Sequence, residues 1–266
     1  MSTVSSTDGT TIDYDAYGAG PTVILIGGTT QHRAIDPRTT EIAKHLAAAG
    51  FTAVDYDRRG RDRSGDTLPW SLDREVDDVA ALIEATGAPA ALYASSSGAG
   101  VAIAAVTAGL DVSALALYEP PYFVGSDRSG HLAALERMLN AGQLDEAMRY
   151  NITAIIGMPS EAVDQMAQTP WWAGMVAVAP TLVYDLQASH DIETDPDWST
   201  RWASVTVSTI VFSGDRTFPG LPEAADSVAA ALPNVKRRVL PGQGHGPAPE
   251  AIVPELVEFL RPIVAK

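Results

Sequence analysis

The chain has 266 residues, 46% of them apolar, with 33 acidic against 18 basic side chains, a formal charge of −15 and no cysteine. This length fits one large α/β domain or two small ones, and the missing cysteine removes disulfides, thiolate nucleophiles and cysteine-type metal centres. So acidic a surface repels phosphate, which argues against nucleic acid and anionic membrane as partners.

The opening MSTVSSTDGTT is polar and lacks the basic-then-apolar layout of a secretory signal. No later apolar run reaches the ~18 residues of a membrane span, so the expected location is the cytoplasm. TTIDYDAYG reads as an edge or hairpin strand, and PTVILIGG as a buried one whose unbroken Val/Ile/Leu run suits a sheet covered on both faces. Thr39 to Ala49 reads as a helix stopped by Gly50. FTAVDYD is the next strand, followed by the charged turn RRGRDRSGD. From Ser71 to Thr86, Leu72, Val76, Val79, Leu82 and Ile83 form a helical stripe that Gly87 ends. The strand AALYAS, a helix from Ser97 to Ala108 and the strand ALALYE follow, the last closed by Pro120 and Pro121.

From about Phe123 to Trp202 only helix-like segments occur. The βα alternation resumes with VTVSTIVFSG, a helix near Pro222 to Leu232, the strand VKRRVLPG and a last helix from about Ala248 to Val264. The expected layout is an α/β core over residues 1–122 and 203–266, a doubly wound sheet, with residues 123–202 inserted as a helical unit.

One junction is unusual. In ALYASSSGAGVAIAAV an apolar strand runs through three serines directly into an Ala/Val-rich helix. So short a turn presents a hydroxyl at its apex and leaves the free N–H groups of a helix start beside it. The string Ala94-Ser95-Ser96-Ser97-Gly98 resembles the nucleophile elbow of the α/β-hydrolase family, with Ala94 where glycine is usual. VILIGGTT resembles the family's strand and oxyanion loop. DYDRRGRDRSGD resembles its D-x-R-G-x-G-x-S turn, with Asp62 in place of a glycine, and LPGQGHGPAPE its histidine loop. These elements occur in the family's order across essentially the whole chain.

The resemblance implies a mostly parallel eight-stranded sheet with a helical cap. It also implies Ser96 as nucleophile, His245 as base, and the N–H groups of Thr29 and Ser97 as oxyanion donors, with Gly28 letting the backbone approach. Two residues compete for the acid of the triad. Asp215 follows the strand VTVSTIVFSG, where the family usually places it, although counting from Gly214 puts the family's position at Thr217. Glu119 ends the strand after the nucleophile helix, as in some family members, and is slightly favoured because a buried carboxylate there needs a partner such as histidine. His32 follows the oxyanion loop and is a candidate for the pocket; His45, His131 and His190 read as surface or packing residues. The cap would supply a mostly apolar lining, rich in methionine and in four of the five tryptophans. Of the neighbours Trp171 and Trp172, at most one should face a ligand squarely, since successive helical side chains diverge by about 100°.

The expected activity is hydrolysis of a carboxylic ester, thioester or lactone of a mostly apolar small molecule, without cofactor or metal. Serine at the elbow argues against the carboxylate-dependent chemistry of epoxide hydrolases and haloalkane dehalogenases. A cyclase-like tailoring enzyme or a ligand-binding protein on the same fold is the alternative. The oligomeric state is open, a homodimer being one option.

Overall fold

A computed structural model describes residues 2–123 and 125–264. Eight strands form one sheet: β1 (Ser2–Ser5), β2 (Thr11–Tyr17), β3 (Thr22–Ile26), β4 (Thr52–Tyr56), β5 (Ala90–Ser95), β6 (Val112–Tyr118), β7 (Ser208–Gly214) and β8 (Val235–Leu240). Their spatial order is β1-β2-β4-β3-β5-β6-β7-β8; the pairings β1–β2 and β2–β4 are antiparallel and the rest parallel.

The continuous apolar runs of the central strands are explained by burial on both faces. Along β3, Ile24 and Ile26 point to one face, Val23 and Leu25 to the other. The first face is covered by α2 (Leu72–Thr86), α3 (Gly98–Thr107) and α10 (Leu221–Ala231), through residues such as Val79, Ile103 and Val228. The second is covered by α1 (Pro37–Ala48) and α11 (Pro249–Val264), through Leu46, Leu256 and Leu260. Each such side chain, fully buried, contributes about 1.5–3 kcal/mol of apolar transfer.

Between β6 and β7 run α4 (Ser129–Asn140), α5 (Leu144–Tyr150), α6 (Ser160–Met166), α7 (Trp172–Ala177), α8 (Leu182–Thr194) and α9 (Trp198–Ala203). These helices carry an apolar cluster of their own, including Leu135, Met148, Met175 and Leu182. Two features differ from the sequence expectation. The polar segment Ser2–Ser5 pairs with β2 as an edge strand, and α1 starts at Pro37, where Asp36 accepts the Arg38 N–H and proline is tolerated at the first turn. Among the described residues no helix is long and apolar enough to cross a membrane.

Candidate active site

Strand β5 leaves the sheet at Ser95 and reverses into α3 within a turn centred on Ser96, whose φ of +52° lies in the left-handed region. A non-glycine residue is held there only by strong surroundings. Here the Ser96 N–H donates to Tyr118 O at 2.9 Å on one side, and α3 packs on the other. The tightness explains two glycines. A Cβ at Gly98 would lie 2.7 Å from Ile26 O, and one at Gly28 would lie 2.8 Å from Ser96 Cβ. The fully buried Ala94, by contrast, accommodates its methyl group.

Two N–H groups stand free beside Ser96. Among the described residues neither Thr29 N nor Ser97 N donates to a protein acceptor, whereas Gly28 N is taken by Gln31 Oε1. Thr29, Ser96 and Ser97 line one cavity of about 1060 Å³, together with His245. No hydrogen bond joins Ser96 Oγ to the imidazole among the described residues; the two groups share the cavity wall.

His245 is held from behind. Its Nδ1 lies 2.6 Å from Glu119 Oε2, and Glu119 is fully buried with a φ of +48° just past the end of β6. The same carboxylate accepts the Gly214 N–H at 2.8 Å and the Thr217 hydroxyl at 2.7 Å. Every demand of a buried carboxylate is thus met locally. Asp215 is elsewhere: it is exposed, and its Oδ1 accepts the Gly242 N–H at 2.6 Å, which ties the β7 loop to the turn after β8. The position three residues past Gly214 is Thr217, so the loop that competes for the acid instead supplies Glu119 with a donor.

The sequence model of the Alpha/beta hydrolase family matches residues 14–255. The chain belongs to that family. A solved alpha/beta hydrolase from Sphaerobacter thermophilus DSM 20745 is 40% identical, with 97% of this chain and 100% of that one covered at a TM-score of 0.88. A thermophilic esterase from Thermogutta terrifontis is 20% identical over 99% of this chain and 98% of its own, at a TM-score of 0.75. A bromoperoxidase from Bacillus anthracis is 19% identical over 98% of this chain and 100% of its own, at 0.69. The last two share the fold with this chain. No curated protein sequence matches it.

Behind the loop of this family member that carries Thr29 lies a buried ionic network that sequence reasoning missed. Arg58 binds both oxygens of Glu75 at 2.6 Å and donates to Asp185 Oδ1 at 2.7 Å. Arg61 donates to Asp185 Oδ2 at 2.6 Å and to Gly28 O at 2.6 Å, and Ser97 Oγ donates to Asp185 Oδ1 at 2.8 Å. All four ionised side chains are at most 5% exposed. Burial pushes the Asp185 carboxyl up, but Arg58, Arg61 and the Ser97 hydroxyl outweigh it, and the net direction is down. The Gly28 carbonyl and the Thr29 N–H belong to one planar peptide unit. A guanidinium on that oxygen therefore fixes and polarises the N–H at the other end.

The remaining candidates divide. Trp171 lines the cavity. Trp172 turns into the helical cluster, where its Nε1 donates to Asp145 Oδ1 at 2.7 Å and Arg149 stacks 5.4 Å above its ring. His32 does not reach the cavity. It is 7% exposed, and a nitrogen of its ring stands within 4.8 Å of carboxylate oxygens of Asp57 and Asp62. Asp57 already receives the Arg33 N–H at 2.9 Å and Nη2 at 2.7 Å, so a cation occupies that side of the group.

Proposed function

We propose that the chain is a serine hydrolase acting on carboxylic esters, thioesters or lactones. The observation that carries this reading is the His245–Glu119 pair, at 2.6 Å, on the same cavity as a strained serine flanked by two free N–H groups. Serine is a weak nucleophile unless a base takes its proton. In the proposed reaction His245 Nε2 accepts the Ser96 hydroxyl proton as Oγ bonds to the substrate carbonyl carbon, drawing the two groups together around the substrate. The carbonyl oxygen becomes an oxyanion held by the Thr29 and Ser97 N–H groups. The C–O or C–S bond then breaks, and the leaving group takes the proton from His245. Water, deprotonated by the same imidazole, attacks the acyl-enzyme and releases the acid and Ser96.

Glu119, ionised and fully partnered, keeps the proton on Nδ1 and balances the imidazolium that forms. Arg61 and Asp185 hold the two oxyanion donors. We read helices α4–α9 as a cap over the strand ends, and the segment that carries them supplies most of the cavity's apolar wall. The esterase among the structural neighbours supports the same class of activity.

A fluorophosphonate probe tests the reading. It should form a covalent adduct on Ser96 that disappears in Ser96→Ala, and nitrophenyl esters should be turned over by the native chain alone. Absence of an adduct at Ser96, with turnover surviving the substitution, would refute it.

A further inference from the structure

The charges on the wall of the cavity are balanced. Asp36 is bound by Arg38 at 3.0 Å and by Gln31 at 2.8 Å. Arg128 holds Glu193 in a two-pronged pair, Asp185 sits between two arginines, and His245 rests on Glu119. Every charged side chain that lines the cavity therefore has its counter-charge within the protein. A charged group on a ligand would be desolvated there without a free partner, which is costly.

Among the buried polar side chains of the same wall, Ser97 donates to Asp185, and Ser189 donates to the Asp185 carbonyl at 2.9 Å. Asn151 stands apart. It is 4% exposed and lines the cavity, and its buried Nδ2 has no hydrogen-bond partner among the described residues. Buried amides are almost always satisfied, so an orphan on a cavity wall points to a ligand. The backbone gives a second sign. Asn151 opens a π-helical turn, Asn151–Ile155, with Ile156 N donating to Asn151 O at 3.0 Å. Such turns insert one residue, re-aim the side chains around them and concentrate at functional sites. The rest of this end is apolar, with Ile152, Ile155, Met158 and Met166.

We infer that the preferred substrate is an uncharged acyl compound bearing a hydroxyl or keto oxygen remote from the scissile carbonyl, and that Asn151 is the residue that reads this oxygen. The inference rests on the hydrolase reading above and narrows its substrate class. An amide can donate to a keto oxygen, and it can both donate to and accept from a hydroxyl. A cavity of about 1060 Å³ leaves room for a chain of several carbons between the two ends.

The test uses nitrophenyl esters of straight-chain acids, their hydroxy and keto analogues with the oxygen moved stepwise along the chain, and analogues ending in a carboxylate. With the native chain, one oxygenated position should exceed its plain parent in kcat/KM by about tenfold, and the carboxylates should fall below it. In Asn151→Leu the oxygenated-to-plain ratio should collapse to within about twofold. Asn151→Asp, which has the same shape but only acceptor oxygens when ionised, should keep a preference for hydroxyl over keto. Because each readout is a ratio of two substrates on one preparation, partial unfolding of a variant does not distort it. The inference fails if no oxygenated ester beats its parent, or if Asn151→Leu keeps the native ratio. If Ser96 is labelled and plain esters turn over while the preference is missing, the inference alone falls. If Ser96 is neither labelled nor needed, the hydrolase reading falls, and the inference with it.

Discussion

Replacing Asp185 by asparagine probes the join between the helical segment and the proposed oxyanion donors. The carboxylate accepts from Arg58 at 2.7 Å, Arg61 at 2.6 Å and Ser97 at 2.8 Å, at 5% exposure. An amide of the same size keeps one acceptor oxygen and turns an NH₂ toward a donor. At least one charge-assisted hydrogen bond goes, about 1.5–3 kcal/mol, and two buried guanidiniums are left with the single charge of Glu75. Breaking a buried ion pair from one side costs about 3–5 kcal/mol in all, a fall of roughly 6–20 °C in melting temperature for a chain of this size.

The effect on turnover is separate. Freed from Asp185, Arg61 no longer fixes the Gly28–Thr29 peptide, and Ser97 loses its anchor. A loss of about a hundredfold in kcat is expected, with KM within about threefold, because the donors matter most when the oxyanion forms. Steady-state kinetics on one nitrophenyl ester, well below both melting transitions, separates the two effects. Ser97→Ala removes only the hydroxyl link and should lose about 1 kcal/mol of stability with a smaller fall in kcat. An Asp185→Asn enzyme that melts earlier yet keeps its native kcat would refute the positioning role.

Three further outcomes are expected. Glu119→Gln should lower kcat about 10³–10⁴-fold, while Asp215→Asn stays within about threefold; equal losses in steady-state assays would count against Glu119 as the acid. Asp55, buried in β4, has its carboxyl pushed up by burial, against the Thr40 hydroxyl and Arg33, to about 7 from an ordinary 3.8. Between those values the folded chain holds a proton that the unfolded chain has lost, so this group's contribution to stability falls as pH rises through that window and is level above it. Asp55→Asn, still able to accept from Thr40, should gain about 2–4 kcal/mol at about pH 8 and little at about pH 4; urea unfolding at both checks the sign. Trp171→Ala should change the acyl-length profile, whereas Trp172→Phe should keep it and lose about 1–3 kcal/mol in the same unfolding assay.

What could be read from sequence follows the range of the interactions. The elbow, the glycine loop and the strand runs are local patterns, and the structure follows them closely in β3, β5 and α3. The polar edge strand β1 escaped because its residues are mostly exposed and their only signal is pairing with β2. The sequence favours Glu119 only slightly over Asp215, since the contacts that distinguish the two carboxylates, Thr217 and His245 on Glu119 and Gly242 on Asp215, come from distant parts of the chain. Asp185 left no trace at all. Its partners Arg58 and Arg61 are 127 and 124 residues away along the chain, and an aspartate in a helix usually means a solvated face. His32 was placed too near the pocket because loop position was known and side-chain direction was not.

The overall charge of −15 illustrates the same separation between whole-chain and local properties. It bears on partners that approach the surface, within a screening length of about 8 Å at physiological salt. Inside the cavity it is replaced by pairs: Asp36 with Arg38, Glu193 with Arg128, Asp185 with Arg58 and Arg61. An anionic substrate is therefore opposed twice, by the acidic exterior during approach and by the absence, among the described residues, of a free cation on the wall. A neutral substrate meets neither barrier, and it encounters the unpaired amide nitrogen of Asn151 as the buried polar group still able to distinguish it.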